Sequence, residues 1–163
     1  MIMEEWSVIQ SNNNYSVSTY GNVMNIKTKK ILKPILCKNG YLMVNLNPIK
    51  YIHRLVAECF INSNLEGLDI DHINRIRTDN RLDNLRLATR AENNYNTTKR
   101  QNTTSKYKGV CWCSTKKRWR CSIKIDKKQT NKYFINEDDA GLYYNELCVK
   151  NNIAYAYFNK VEK

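Results

Sequence analysis

The chain has 163 residues, with 27 Lys and Arg residues against 15 Asp and Glu residues and a formal net charge of +12. Hydrophobic residues make up 42% of it and only five residues are Gly, which excludes a collagen-like chain and a disordered polycation. No apolar run approaches the roughly 18–20 residues that cross a bilayer, and residues 1–5 lack the pattern of a signal peptide. We therefore expect a folded, soluble, intracellular protein without a membrane partner, whose positive charge favours binding to nucleic acid.

The first fifty residues are predicted to form a small β region. Short strands are expected over 15–18 and 22–25, joined by a turn in which Gly21 takes the position of positive φ. Another strand, over 41–46, follows an Asn-Gly turn, the dipeptide most typical of hairpins.

The central part of the chain changes its hydrophobic period. Apolar residues recur with helical spacing over 53–60, which predicts a short amphipathic helix. Short strands are predicted over 68–71 and 82–87. Thr89 and Glu92 then have the spacing of a capping box, so a helix is expected to begin there.

The last third of the chain has the clearest pattern. Odd positions of the segment 118–125 are apolar and even positions are polar and mostly basic, so the two sets face opposite sides of a strand. A polar hairpin connection over 127–131 is expected to lead into a strand over 132–134, and Asn136 to cap a helix. These elements predict a three-stranded antiparallel sheet with one face on a helix and a basic face free to enter a DNA groove.

The positive charge is concentrated in the same region. Between Lys99 and Phe134 there are twelve basic residues and one acidic residue, with aromatic residues interleaved. This density favours a phosphate-contacting surface over an ordinary solvated face, and salt should weaken its binding to DNA. The residues predicted to contact DNA, two of them arginines of the central segment, are Lys108, Arg118, Arg120, Lys124, Lys132, Arg54 and Arg86.

The six cysteines do not indicate a disulfide framework, because nothing in the sequence indicates secretion. Buried free thiols are the ordinary interpretation. A zinc site remains the alternative, with four candidate ligands: Cys111, Cys113, Cys121 and Cys148.

The residues suited to chemistry lie in the central segment. Asp71 and His72 end a predicted strand, Asn84 lies in the next strand, and Asn93 lies on the helix that follows. Asp71 and the side-chain oxygen of Asn93 are hard donors that suit a divalent cation such as Mg²⁺. His72 is then available as a general base, and Asn84 is expected to orient its imidazole. His53, the other histidine, is expected to have a structural role.

The central segment, from His53 to Asn94, resembles the HNH homing endonucleases of phages and giant viruses. The resemblance rests on five short motifs in the same order and spacing: His53-Arg-Leu-Val-Ala57, Asp71-His-Ile-Asn74, Asp79-Asn-Arg81, Asn84-Leu-Arg86 and Glu92-Asn93.

Both flanks of the central segment also resemble known domains. Upstream, Glu4-Glu-Trp6 and the segment 15–23 are similar to the nuclease-associated modular domain that often precedes such nucleases. Downstream, Tyr107-Lys-Gly-Val110, Arg118-Trp119 and the final helix region resemble the ethylene-response-factor type of DNA-binding domain.

The resemblance implies an α+β protein with a ββα-metal nuclease core of the H-N-N variant. His72 would be the general base, Asn84 the middle Asn, and Asp71 and Asn93 the ligands of Mg²⁺ or Mn²⁺. An amide in place of a second histidine ligand favours Mg²⁺ over Zn²⁺.

The domains implied by these resemblances are a modular β region over 1–50, the nuclease core over 51–102 and the DNA-binding domain over 103–163. The implied function is site-specific, homing-type cleavage of double-stranded DNA in an infected host cell, with no obligate protein partner. The alternative is a sequence-specific DNA-binding regulator with an inactive nuclease core.

Overall fold

Between residues 3 and 161, the chain forms small antiparallel sheets and three α-helices, which confirms the predicted α+β class. The computed structural model describes residues 3–161, so residues 1 and 2 of the segment examined for a signal peptide lie outside it. Within the described part, no helix has the length and apolar character needed to span a membrane. The chain divides into two units, Met1–Asn93 and Asn94–Lys163.

The first sheet confirms the short strands expected near the N-terminus. It contains β1 (Trp6–Val8), β2 (Tyr15–Ser18) and β3 (Val23–Asn25), in that order. Gly21 turns the chain between β2 and β3 at a φ of +80°, and a Cβ there would lie 2.9 Å from the Cβ of Asn80. The glycine therefore lets this turn pack directly against a loop from the centre of the sequence.

The second sheet leads directly into the first helix. Its strands are β4 (Ile35–Leu36), β5 (Leu42–Asn45) and β6 (Ile49–Tyr51), and α1 (Ile52–Phe60) follows without a loop. The helix confirms the amphipathic pattern over 53–60. Its buried apolar side chains pack with those of the strands in the core of the first unit: Ile52, Leu55, Val56 and Ala57.

The third sheet has two strands, β7 (Asp69–His72) and β8 (Leu85–Ala88), which pair antiparallel. The strand predicted over 82–87 is wrong in its first half, because Leu82–Asn84 is a turn of 3₁₀-helix. The amide N–H of Asn84 donates to the carbonyl of Arg81, which closes that turn before the strand begins.

The helix α2 (Arg90–Asn96) begins with the predicted capping box. The backbone N–H and the hydroxyl of Thr89 both donate to a Glu92 carboxylate oxygen at 2.7 Å, and the Glu92 N–H donates back to the hydroxyl. These reciprocal bonds satisfy donors that a helix start otherwise leaves without partners.

The second unit confirms the predicted three-stranded sheet packed on one helix. It contains β9 (Val110–Cys113), β10 (Arg118–Ile125) and β11 (Lys128–Phe134), in the order β11-β10-β9, followed by α3 (Glu137–Lys150). Its core lies between the sheet and α3 and includes seven side chains with little exposure: Tyr107, Val110, Cys121, Ile123, Ala140, Tyr144 and Cys148.

The hairpin between β10 and β11 differs from the prediction. The polar connection expected over 127–131 is reduced to two turn residues, Asp126 and Lys127, with φ values of +47° and +65°. Two consecutive residues of positive φ form the tight turn whose twist matches that of the flanking strands. The strand β11 therefore starts at Lys128. Asn136 precedes α3 as predicted, but its side chain makes no capping hydrogen bond.

The structure also bears on the predicted domain limits. Residues 94–102, which the sequence assigns to the nuclease core, belong to the second unit. The predicted regions 1–50 and 51–93 together form the first unit. The three-part division remains a prediction.

Candidate active site

The last two residues of β7 are Asp71 and His72, and both are buried. Successive side chains of a strand point to opposite faces, so Asp71 shares one face with Asp69, and His72 shares the other with Ile70. Ile70 belongs to the core of the first unit. The carboxylates of Asp69 and Asp71 therefore lie on one face of β7, and the imidazole of His72 lies on the other.

The His72 imidazole is held by an amide and surrounded by rings. Its Nε2 lies 3.2 Å from Oδ1 of Asn80, whose amide nitrogen donates to the carbonyl of Thr78. An acceptor oxygen at this position favours the tautomer with the proton on Nε2 and the lone pair on Nδ1. The ring centroids of His53 and Tyr41 lie 5.3 Å and 5.7 Å from that of His72.

Burial sets the protonation state of this imidazole. It lowers the pKa of His72 below the usual value of 6.5, although the hydrogen bond to Asn80 and the charge of Asp71 act in the opposite direction. The imidazole is therefore neutral at neutral pH and able to accept a proton.

Asn84, which was expected to orient His72, instead holds the main chain of the loop after β7. Its Oδ1 accepts from the N–H of Asn74 at 2.9 Å, and its Nδ2 donates to the carbonyl of Asp79 at 2.8 Å. The expected contact with the imidazole is therefore wrong, since the amide that contacts His72 is that of Asn80. Asn80 was missed because its motif, Asp79-Asn-Arg81, shows its role only once the loop is folded.

Asp71 lies opposite Arg86 in the β7–β8 register. Oδ2 of Asp71 lies 2.9 Å from Nε and 2.7 Å from Nη2 of Arg86, whose side chain is only 14% exposed. This double contact fixes one carboxylate oxygen. It favours a role for Arg86 in holding Asp71 over the DNA contact predicted for it.

Asn93 lies one turn into α2 and is half-buried. Its Nδ2 donates to Oδ2 of Asp69 at 2.9 Å, and Arg90 reaches the same oxygen at 3.2 Å. The hydrogen bond from Asn93 is the largest of the effects that hold the pKa of Asp69 below its usual range. The amide nitrogen of Asn93 is thus occupied, and its oxygen points away from Asp69.

The proposed donors on β7 and α2 suit a hard cation by their chemistry. Asp71 and Asn93 offer a carboxylate and an amide oxygen, which suit Mg²⁺ or Mn²⁺, and water and phosphate oxygens usually complete such a shell. Among residues 3–161, no group of three or more His, Cys, Asp and Glu side chains has a metal-binding arrangement. The zinc alternative for the cysteines is therefore not supported, and Cys121 and Cys148 are buried free thiols.

The strand register of the second unit shows which of the predicted DNA contacts lie on the same face of the sheet. Arg118, Arg120 and Lys124 alternate with core residues of β10 and share the face that α3 does not cover. Lys132 lies opposite Cys121 and therefore on the helix side, with its Nζ 4.4 Å from the ring centroid of Tyr143. The basic face is confirmed as a geometric feature, but Lys132 is not part of it.

Two further predicted DNA contacts have other surroundings. Nζ of Lys108 donates to the carbonyls of Asn94, Tyr95 and Thr97 at 2.6–2.9 Å, where cations stabilise the end of a helix. This engagement favours a structural role for Lys108. Arg54 is half-buried on α1, and a DNA contact for it stays a prediction.

Comparison with known proteins gives the family of the central segment. The family model described as HNH endonuclease matches residues 50–95, which contain β7, β8 and most of α2. Residues 50–95 are therefore similar to the HNH endonuclease family. A second family model, the NUMOD4 motif, matches residues 4–47, ahead of the HNH segment.

Curated relatives of this chain come from viruses. An uncharacterized HNH endonuclease of Acanthamoeba polyphaga mimivirus is 44% identical over 87 residues, which are 48% of this chain and 22% of that protein. The DNA endonuclease I-HmuI of Bacillus phage SP01 is 36% identical over 95 residues, which are 55% of each chain. The chain thus spans about half, or less, of the length of these curated relatives.

A solved structure supports the same relationship. The structure described as DNA binding and cleavage by the HNH homing endonuclease I-HmuI aligns with a TM-score of 0.52 at 36% identity, over 56% of each chain. The HNH relationship predicted from the sequence motifs is confirmed. The H-N-N variant and the ethylene-response-factor resemblance of the second unit remain predictions.

Proposed function

We propose that this protein is a homing-type endonuclease that hydrolyses phosphodiester bonds of double-stranded DNA with one divalent cation, Mg²⁺ or Mn²⁺. The observation that carries the proposal is a buried, neutral His72 beside Asp71 within the HNH-matched segment. Its relatives come from phages and a giant virus, so its substrate would be DNA in an infected cell.

His72 would act as the general base. We infer the tautomer in which Nε2–H donates to Asn80 and Nδ1 carries the lone pair. Nδ1 then takes the proton of the water that attacks the phosphorus atom. Because burial lowers the pKa of His72, little free energy is spent on deprotonating it before the reaction.

Asp71 and Asn93 would hold the cation through one carboxylate and one amide oxygen. When bound, the cation supplies electrostatic stabilisation of the charge that develops on the phosphate and the leaving oxygen. Arg86 fixes Asp71 by its double contact, and the capping box fixes the start of the helix that carries Asn93. These contacts support a site in which both oxygen donors are held before substrate binds.

The second unit would bind DNA through the uncovered face of its sheet. Arg118, Arg120 and Lys124 lie in a row along β10, and the register places Asn131 and Gln129 of β11 on the same face. A ribbon of basic and amide side chains suits contacts to phosphates and to base edges in a DNA groove. This placement supports the ethylene-response-factor type of binding.

Cleavage of a supercoiled plasmid tests the proposal. We expect the wild-type protein to nick or linearise DNA only with Mg²⁺ or Mn²⁺, and His72→Ala to lose cleavage while its DNA affinity, measured by fluorescence anisotropy, is retained. Ile76→Ala, a change at a 54% exposed residue of the following loop, is the matched control and should cleave normally.

Two outcomes would contradict the proposal. Cleavage by His72→Ala at the wild-type rate would show that His72 is not the general base. Binding without cleavage by the wild-type protein, on plasmids that carry host and neighbouring genomic DNA, would favour the regulator with an inactive core.

A further inference from the structure

We propose that Asp69 is a positioning residue that decides which end of the Asn93 amide faces the cation. The inference rests on the proposed function, in which Asn93 supplies an amide oxygen. It adds to that function a residue that lies outside the predicted catalytic and metal-binding set.

Strand register and helix capping bring the two side chains together. Asp69 pairs with Ala88, and the next residue, Thr89, begins the capping box of α2. The N–H of Asn93 donates to the carbonyl of Thr89 at 3.0 Å, so Asn93 lies one helical turn above that point. Its side chain therefore lies over β7, where its Nδ2 donates a hydrogen bond to Oδ2 of Asp69 at 2.9 Å.

The chemistry of the two groups permits only one orientation. An ionised carboxylate is purely a hydrogen-bond acceptor, whereas an amide has one donor end and one acceptor end. Asp69 therefore selects the amide nitrogen and turns the Asn93 oxygen away. The flipped amide would set two oxygens against each other and present an NH₂ group to the cation.

Arg90 makes only a weak contact with Asp69. It reaches the same Oδ2 atom from α2, but its side chain is 82% exposed and the contact is 3.2 Å long, so it adds little to the position of Asp69. Asp69 also lies two residues before Asp71 on the same face of β7. One strand thus places one proposed ligand directly and orients the other through Asp69.

Binding of Mn²⁺ to the full chain, followed through the electron paramagnetic resonance signal of free Mn²⁺, tests this inference without relying on cleavage. We expect Asp69→Ala to weaken Mn²⁺ binding by about tenfold or more, as is typical for loss of a group that orients a ligand. Asp69→Asn retains an acceptor oxygen without the charge and should recover most of the affinity. Arg90→Ala is the matched control and should change the affinity by less than about twofold.

A second background separates orientation from charge. Asn93→Asp has two acceptor oxygens and no amide to orient, so Asp69→Ala should cost less Mn²⁺ affinity in that background than in the wild-type protein. Circular dichroism checks folding, and Asp69→Leu replaces Asp69→Ala if the smaller side chain impairs it.

The positioning role and the proposed function would be overturned by different results. Wild-type affinity in Asp69→Ala, or equal losses in Asp69→Ala and Asp69→Asn, would overturn the positioning role. Failure of the wild-type protein both to bind Mn²⁺ and to cleave DNA would instead overturn the proposed function.

Discussion

The imidazole rings of His53 and His72 lie 5.3 Å apart with their planes at 68°, so that one ring edge meets the other ring face. His53 comes from α1, and Tyr41 and Tyr51 also pack against it. Burial, reinforced by the charges of His72 and Arg54, lowers the pKa of His53 to about 3. The expected structural role of His53 therefore takes a specific form, a neutral ring packed beside the candidate base.

His53→Phe should make the protein less sensitive to acid. The pKa of His53 is about 3 when folded and 6.5 when unfolded, so between these values the unfolded chain binds a proton that the folded chain does not. The contribution of the neutral His53 to the free energy of unfolding is complete above pH 6.5. Below that pH it decreases by up to about 1.4 kcal/mol per pH unit. Phe packs a similar ring without titrating, so the slope of unfolding free energy against pH should become shallower.

Urea denaturation at several pH values between 6.5 and 5 measures this slope above the range in which most carboxylates titrate. The remaining histidine, His72, titrates in both proteins and cancels in the comparison. Equal slopes for wild type and His53→Phe would show that His53 is not the buried neutral group described.

Lys124→Ala and Lys132→Ala should differ in their effect on DNA binding. Both remove one exposed lysine from neighbouring strands, but Lys124 lies on the uncovered face and Lys132 on the helix side. Loss of a phosphate contact reduces the slope of log affinity against log salt by about 0.9. We expect this reduction only for Lys124→Ala, measured by fluorescence anisotropy over a range of salt concentrations.

The opposite ranking of the two lysines would place the DNA on the other side of the sheet. It would also restore the DNA contact that the sequence predicts for Lys132.

Gly109→Ala should destabilise the protein more than Gly67→Ala. Both glycines have positive φ, +73° and +72°, so each alanine incurs a similar backbone strain of about 1–2 kcal/mol. A Cβ at Gly109 would overlap the buried ring of Tyr144, whereas one at Gly67 meets nothing within 4 Å. Overpacking adds about 1–3 kcal/mol to the first variant alone.

Calorimetry of the full chain measures both glycine variants. A Gly109→Ala protein as stable as Gly67→Ala would mean that Tyr144 gives way without cost.

Asn84→Ala should lower the free energy of unfolding by about 1–3 kcal/mol, because the N–H of Asn74 and the carbonyl of Asp79 both lose their partner. Asn84→Asp keeps the acceptor oxygen and should fall between Ala and wild type. Urea denaturation measures both variants. Unchanged stability with loss of plasmid cleavage would instead favour the catalytic role that the family resemblance implies for Asn84.

Local patterns in the sequence predicted the elements whose signals are local. The alternation of β10 and the capping box of α2 each lie within a few consecutive residues, and both are confirmed. Asp71 and His72 could be located because they end a short strand and fit a known motif. Fold class and candidate chemistry were therefore accessible from the sequence.

Features that depend on contacts between distant segments could not be predicted from the sequence. The side on which Lys132 lies depends on a two-residue turn. Assigning residues 128–131 to the connection instead of to β11 hid the register. The contact of Asn80 with His72 depends on how an irregular loop closes. Neither contact leaves a periodic signal in the sequence.

The turn at Gly21 couples the two segments that the family models match. It packs against Asn80, the residue that contacts His72, and the carbonyl of Thr19 accepts from the N–H of Leu82 in the same region. The two segments that the family models match, 4–47 and 50–95, therefore contact each other beside the candidate base. A bulkier residue in this turn would displace Asn80, so a sequence change in the first segment would also alter the surroundings of His72.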